Sequence, residues 1–419
     1  MPSVERKTPV YLLVTAELQT SLTSHGQYWW KTSGYLLAAF LHDAGYSLRS
    51  QHHILTFFGR TIVPYMGVAY NIHSPQWRSF MTDDHHPIEL SWDWHTGRKP
   101  PTVRFSIEPV GINAGTPLDP ENKQVDKSFR EALKYAFPKT NLEWFYHFDR
   151  ELTPKDTAGT GLMEGHPSKL FYAFDLTAEG VTSKAYFFPG FKARETNQTN
   201  FQVICDVIAR APQRSQNQLD ALRVFEDFAY DKDTPSLEMD LLAIDMTPPA
   251  DARLKIYFRS RDTSFGSVRQ MMALGGRVAY PGLEFGLQNL RRLWDALLDQ
   301  EGVAGDQPLP EETNHRTAGL LYNVEFRADS GQPKVKIYIP VRHYARSDER
   351  VISAVHRYME SVEGSKGGLR HIYADTMRRV FRRDALQQRG LHTYIGCSIQ
   401  SGGDLRVVSY VNGQGQKMI

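Results

Sequence analysis

The chain has 419 residues, 41% hydrophobic and 23% charged, with a formal net charge of +2. That balance suits a globular protein with a real core and leaves no overall field to attract nucleic acid or a membrane surface, so any anion site must come from local placement of cations. The two cysteines, Cys205 and Cys397, are far apart and form no disulfide framework, and the apolar run Val10–Val14 is too short for a signal-peptide core or a bilayer span, so a cytoplasmic location is expected.

In chain order, residues 24–46 are predicted helical, because Trp29, Trp30, Leu36, Leu37, Phe40 and Leu41 recur near helical spacing and Gly45 stands where the helix should stop. Glu89–Trp94 and Thr102–Glu108 each alternate polar with apolar residues about the Gly97–Pro101 turn, which predicts a hairpin with Glu89 and Arg104 on its polar face. A helix over 127–138 follows. A second hairpin joins Lys169–Leu176 to Ser183–Phe188, and helices are expected over 199–211 and 215–229.

A third hairpin joins Met239–Asp245 to Arg253–Arg259 across Pro248-Pro249. Its second strand puts Arg253, Lys255, Tyr257 and Arg259 on one side and Leu254, Ile256 and Phe258 on the other. Three cations and a phenol on one strand face point to an anion surface, although a basic edge strand guarded against aggregation has the same pattern. Helices are predicted over 265–274 and 284–299. The fourth hairpin pairs Gly319–Phe326 with Lys334–Pro340, with Lys336 and Tyr338 on one face. Helices over 347–361 and 369–387 lead to the last hairpin, His392–Gln400 with Leu405–Val411.

The five hairpins begin near residues 86, 169, 239, 319 and 391, spaced by roughly 70 to 80 residues and separated by helices. Ten two-faced antiparallel strands predict an α+β fold in which a closed barrel turns its apolar faces outward to a ring of helices and keeps a polar lumen. The lumen would hold Arg104, Lys184, Arg253, Lys255 and Lys336, the tyrosines Tyr186, Tyr257, Tyr338, Tyr394 and Tyr410, and one prominent acid, Glu89. Crowded cations are tolerable in such a space when a polyanion compensates them, and electron-rich phenol rings favour a positive charge. An allylic diphosphate supplies both charges as it ionises: the basic residues would hold the departing diphosphate and the rings would shield the allyl cation. Glu89 could accept a hydrogen bond from an indole N–H or a phenol on the attacking ring.

These blocks resemble the fungal-type dimethylallyltryptophan synthase family of aromatic prenyltransferases. The resemblance is carried by Trp77-Arg78-Ser79-Phe80-Met81, Pro87-Ile88-Glu89-Leu90-Ser91, Val103-Arg104-Phe105-Ser106, Lys184-Ala185-Tyr186, Arg253-Leu254-Lys255-Ile256-Tyr257 and Lys336-Ile337-Tyr338, and it spans nearly the whole chain. It implies the family's ABBA fold, one domain over 1–419 with the 24–46 helical segment packed on the barrel, and no metal or other cofactor. By the same resemblance Arg104, Lys184, Arg253, Lys255 and Lys336 hold the diphosphate and the five tyrosines form the shield. Glu89 takes the indole N–H, and Phe80 and Met81 lie against the acceptor. Dimethylallyl diphosphate and an aromatic acceptor are the expected partners, and a monomer or homodimer is expected.

Two departures bear on the acceptor. Asp240 stands where members that prenylate free tryptophan carry a carboxylate-binding arginine, and Phe171 or Tyr172 stands where they carry a lysine taken to remove the ring proton, with Lys169 nearby in a different register. Both favour an indole without a free carboxylate, such as a tryptophan-containing cyclic dipeptide or an alkaloid precursor. Phenolic or xanthone-type acceptors, free tryptophan, or a carrier role without chemistry are the alternatives. Asp83-Asp84-His85-His86 lacks the acid spacing of magnesium-dependent prenyl synthases and is expected in a solvated loop. His52-His53 are expected at a helix end or loop, Gly159-Thr160-Gly161 in a loop, and Arg378-Arg379 with Arg382-Arg383 on a solvated helix face.

Overall fold

Strict alternation gives each extended segment one face for ions and one for oil, and a single sheet can enclose the first and cover the second with helices by closing on itself. In the computed structural model, which describes residues 8–94, 100–153, 166–177, 180–310, 314–363, 369–413 and 417–418, it does so. The strands are β1 (Ile88–Asp93), β2 (Thr102–Ile107), β3 (Leu170–Leu176), β4 (Val181–Phe187), β5 (Leu237–Asp245), β6 (Leu254–Ser260), β7 (Leu320–Arg327), β8 (Ser330–Ile339), β9 (His392–Ile399) and β10 (Leu405–Val411). Each pairs antiparallel with its neighbours in sequence, and β1 also pairs with β10, so no edge is left open.

The outward faces make the core. Leu90, Trp92, Val103, Phe105, Ile107 and Phe174 are fully buried beneath the helices. Trp92 stacks on Trp94 with centroids 4.9 Å apart and meets Phe40 at 5.0 Å, which fixes the segment expected over 24–46 against β1. That segment is helical from Ser24 to Asp43, with a π turn at Trp30–Gly34, and Gly45 follows at φ +77°, the left-handed position that ends a helix readily when glycine occupies it. The helices Asn200–Ala209 and Gln216–Ala229 each open on a capping box, Thr199 with Gln202 and Ser215 with Gln218. The second of them buries Ala221, Leu222, Phe225 and Phe228, and the Phe225 ring lies 5.3 Å from Phe258 of β6.

Several expectations need correction. Pro9–Leu18, Leu48–Phe57, Glu143–Leu152 and Gly190–Thr196 are helices that the spacing analysis left unassigned. His52 and His53 therefore lie inside a helix, and His52 Nε2 sits 2.8 Å from Glu17 Oε1. The helix expected over 369–387 stops at Val380, and a short one follows at Arg383–Leu386. Arg378, Arg379 and Arg382 lie toward solvent as expected, paired there with Glu349, Asp43 and Asp384. Arg253 falls one residue ahead of β6. The Gly97–Pro101 turn lies largely, and Gly159-Thr160-Gly161 wholly, outside the described residues. Among the described residues no helix is long and apolar enough to cross a membrane.

Candidate active site

The lumen is layered along the strands. Its successive inward positions are Arg253, just ahead of β6, then Lys255, Tyr257 and Arg259 on β6, and the next strands that run the same way repeat that order as Lys184 then Tyr186 on β4 and Lys336 then Tyr338 on β8. The sheet thus presents a basic layer, a phenolic layer and a third layer at the end that carries Glu89.

In the basic layer the five expected cations come together, but with carboxylates that were not expected. Arg104 bridges Asp93 (2.5 Å) and Asp175 (2.7 Å), Lys184 meets Asp175 (2.6 Å), Arg253 meets Asp245 (2.5 Å) and Glu325 (3.4 Å), and Lys255 also meets Glu325 (3.4 Å). Arg406 closes on Asp93 from the other side. Although burial alone would raise it, the Asp175 carboxyl is held well below the usual carboxylate range by Lys184 and Arg104. The cations are therefore not left to await a polyanion. They are held in place by four acids from β1, β3, β5 and β7, and a diphosphate would share them.

Lys336 differs. Its ammonium donates to Tyr410 Oη at 3.0 Å and lies 4.4 Å from the Tyr338 ring, and among the described residues it has no carboxylate in ion-pair range. Burial, together with Arg104, Arg406 and Lys255, pushes it well below the ordinary lysine value. Its position depends on Gly396 of β9, where an added Cβ would lie 2.7 Å from Lys336 Cε and 3.1 Å from Tyr410. Gly396→Ala is therefore expected to displace the ammonium and weaken dimethylallyl diphosphate binding by about tenfold, roughly one charge-assisted hydrogen bond, with little change in melting temperature. Calorimetric titration of the diphosphate checks it.

The phenolic layer is continuous. Tyr257 lies 5.8 Å from Tyr186 and from Tyr338, and Tyr338 lies 5.5 Å from Tyr410 and 6.2 Å from Tyr394. Tyr257 and Tyr338 hydroxyls are 3.3 Å apart, and Asn323 donates to Tyr338 at 2.8 Å. Burial raises the Tyr186, Tyr338 and Tyr410 phenols far above their ordinary value and Tyr394 to about 12, so the rings stay neutral and present their electron-rich faces.

The tyrosines line one side of a cavity that also meets Phe80, Met81, Glu89, Phe171 and Leu241, with about 940 Å³ of empty space when the open solvent at its mouth is included. Thr393 donates to Glu89, and burial pushes that carboxyl up to about 8. Phe80 is held between His166, stacked at 4.2 Å, and Arg316, 3.8 Å over the ring. The loop that carries it is anchored by buried Glu108, which accepts from Trp77 Nε1 (3.1 Å) and Ser168 Oγ (2.7 Å), while Ser168 accepts from the Phe80 N–H (2.9 Å). Phe171 faces the cavity, Tyr172 faces the helices, and Lys169 is drawn to Glu121 at 3.0 Å.

Sequence reasoning missed the charged rim of this cavity. Arg259 is held by the Thr317 carbonyl (2.8 Å) and Asp240 (3.4 Å). Asp83 is not in a solvated loop: it accepts from Thr317 Oγ1 (2.7 Å) and lies 3.1 Å from His343 Nε2 and 3.4 Å from Arg342 Nε. Its neighbour Asp84 accepts both bonds from Asn412 Nδ2 at 2.8 Å, and His86 is fully buried. Asp240 was visible as a departure from the family pattern. Arg342 and His343 follow a strand end and carry no periodic signal.

Residues 25–371 match the family model described as tryptophan dimethylallyltransferase. A 4-O-dimethylallyl-L-tyrosine synthase of Claviceps purpurea is 34% identical over 93% of this chain and 88% of its own length, and a 7-dimethylallyltryptophan synthase of Aspergillus fumigatus is 30% identical over 98% and 90%. In fold the chain is similar to the crystal structure of AnaPT from Neosartorya fischeri, with a TM-score of 0.84 at 23% identity covering 98% of this chain and 99% of the other. It is also similar to NotF in complex with brevianamide F and DMSPP, with a TM-score of 0.81 at 22% identity covering 97% and 98%.

Proposed function

Because this chain belongs to the tryptophan dimethylallyltransferase family and is an aromatic prenyltransferase, we propose that it moves a dimethylallyl group from dimethylallyl diphosphate to the indole ring of a tryptophan-derived acceptor without a free carboxylate. The observation that carries this reading is the order of side chains along the lumen: cations, then tyrosine rings, then Glu89 beside an aromatic cavity.

Each layer has one task. Arg104, Lys184, Arg253, Lys255 and Lys336 take the developing negative charge as the allylic C–O bond breaks and diphosphate leaves with the electron pair. Tyr186, Tyr257, Tyr338, Tyr394 and Tyr410 face the allyl cation with π density and exclude water, each contributing about 0.5–2 kcal/mol. A ring carbon of the acceptor, lying against Phe80 and Met81, bonds to the cation, and the ring then loses its proton to regain aromaticity. Glu89 accepts the indole N–H as that group becomes more positive during attack. These cations stand where a metal would otherwise meet the diphosphate, so turnover is expected to survive chelation.

The rim favours an acceptor lacking a carboxylate, since Asp240 lies beside Arg259 and Asp83 and Asp84 beside Arg342, and these acids would repel a second carboxylate there. A second reading, transfer to a phenol, is favoured by the relative named as a tyrosine synthase, and Glu89 would serve an O–H as it serves an N–H. The deciding assay incubates the purified chain with dimethylallyl diphosphate and excess EDTA, offering a tryptophan-containing cyclic dipeptide, L-tryptophan and L-tyrosine in parallel. Prenylated cyclic dipeptide is expected in the presence of chelator. A strong preference for either free amino acid overturns the acceptor reading, and tight diphosphate binding without product from any acceptor makes the barrel a carrier.

A further inference from the structure

At the end of the barrel that holds Glu89, three segments distant in sequence bring lone pairs to one place. Asp83 comes from the loop before β1, His315 and Thr317 from the segment before β7, and His343 from just after β8. The Asp83 carboxylate, His315 and His343 each offer a ligand atom, all within 4.8 Å of one another. Thr317 Oγ1 stands among them, 2.7 Å from Asp83 Oδ1, 2.8 Å from His315 Nδ1 and 2.9 Å from His343 Nε2.

The hydrogens in this cluster do not suffice for its contacts. His315 Nδ1 accepts from the Thr317 N–H at 3.2 Å, so with neutral rings it carries no proton of its own. The single Thr317 hydroxyl hydrogen can then go to Asp83 or to His315, but not to both, and the unserved contact sets two lone pairs face to face at under 3 Å. Arg342 does not consume the Asp83 lone pairs either. It divides itself between Asp83 (3.4 Å) and Asp84 (3.7 Å), both longer than a good charge-assisted bond.

We propose that Asp83, His315 and His343, with the Thr317 hydroxyl beside them, form a site for a divalent transition-metal ion at the rim of the acceptor cavity. One carboxylate and two imidazoles suit zinc, cobalt or nickel and not magnesium or calcium, which take oxygen ligands. The His315 side chain is 46% exposed, which gives the ion a way in, while Asp83 and His343 line the cavity. The site is separate from the diphosphate layer, so its ion acts as a clip joining three segments around the mouth and takes no part in ionising the donor.

A second cluster, His356, Glu360 and His371, lies on the helices Asp348–Glu363 and Leu369–Val380 and supplies the control. Cobalt(II) chloride is titrated into the full chain while its visible absorption is followed, in the wild type and in His315→Ala, His343→Ala and His371→Ala, with circular dichroism checking that each is folded. Saturable binding that weakens at least about tenfold in both His315→Ala and His343→Ala, and persists in His371→Ala, is the expected result. Absence of saturable absorption, or absorption lost only in His371→Ala, overturns the assignment. Because half-exposed His315 supports no core packing, its variant gives a clear answer even if His343→Ala folds poorly.

Discussion

Replacing Lys184 with methionine should lower kcat/KM for dimethylallyl diphosphate by roughly two to three orders of magnitude while leaving the chain folded. A hydrogen bond to a charged partner is worth about 1.5–3 kcal/mol, or roughly 10- to 150-fold, and Lys184 would give one to the departing diphosphate. The variant also removes the ammonium that lies 2.6 Å from Asp175, so that acid, still held by Arg104, faces the incoming anion with less compensation and adds repulsion. Methionine keeps most of the length and apolar stem of the lysine, so the barrel wall need not rearrange. Calorimetric titration of the diphosphate, beside steady-state kinetics and a melting curve, separates a binding defect from unfolding. An Asp175→Asn/Lys184→Met double variant should recover part of the loss by removing the repelling carboxylate. Diphosphate affinity within about threefold of wild type in Lys184→Met would remove β4 from the anion site.

The barrel was legible because period-two alternation survives in all five hairpins, and a closed sheet with opposite faces of opposite polarity is the arrangement that satisfies them all. The same alternation carried the acids that were overlooked. Asp93 shares a face with Glu89, and Glu325 shares one with Asn323 on β7, so both belonged to the lumen by parity alone. Which cation each acid meets depends on register: Arg104 stands opposite Asp175 and Lys255 opposite Glu325, their ion-pair partners, while Lys184, opposite Asp245, reaches instead to Asp175. Register follows from turn geometry and packing, which a single strand's composition does not reveal. The acceptor end was harder for a different reason. Asp83, His315, Arg342 and His343 sit on segments between strands, where no period links a residue to the face it will join. The helix Glu143–Leu152 is a miss of another kind, since Trp144, Phe145 and Phe148 have core spacing, but the stretch is short and follows an unrelated loop.

Glu89→Gln is expected to reduce turnover of an indole acceptor such as the one proposed by about a hundredfold and, unlike the lysine variant, to leave diphosphate affinity unchanged. Its pH behaviour gives the sharper test. Burial holds the Glu89 carboxyl at about 8, with Asp83 adding to the rise and Thr393 opposing it, so near neutrality the group is largely protonated. If its ionised form receives the N–H, kcat/KM for the acceptor climbs as pH rises toward 8 and levels above it, and Glu89→Gln is both low and flat across that limb. Stability should move the other way. A carboxyl whose folded value lies above its unfolded value of about 4.3 binds more protons in the native state, so its favourable contribution is complete below that unfolded value and is lost as pH rises through 8. Glutamine does not titrate, so the variant should melt higher than wild type at about pH 9 and lose that advantage at about pH 5. A variant that keeps the wild-type rise in activity with pH, or whose melting temperature tracks the wild type at every pH, would mean that Glu89 neither receives the acceptor's proton-bearing group nor bears the burial its position implies.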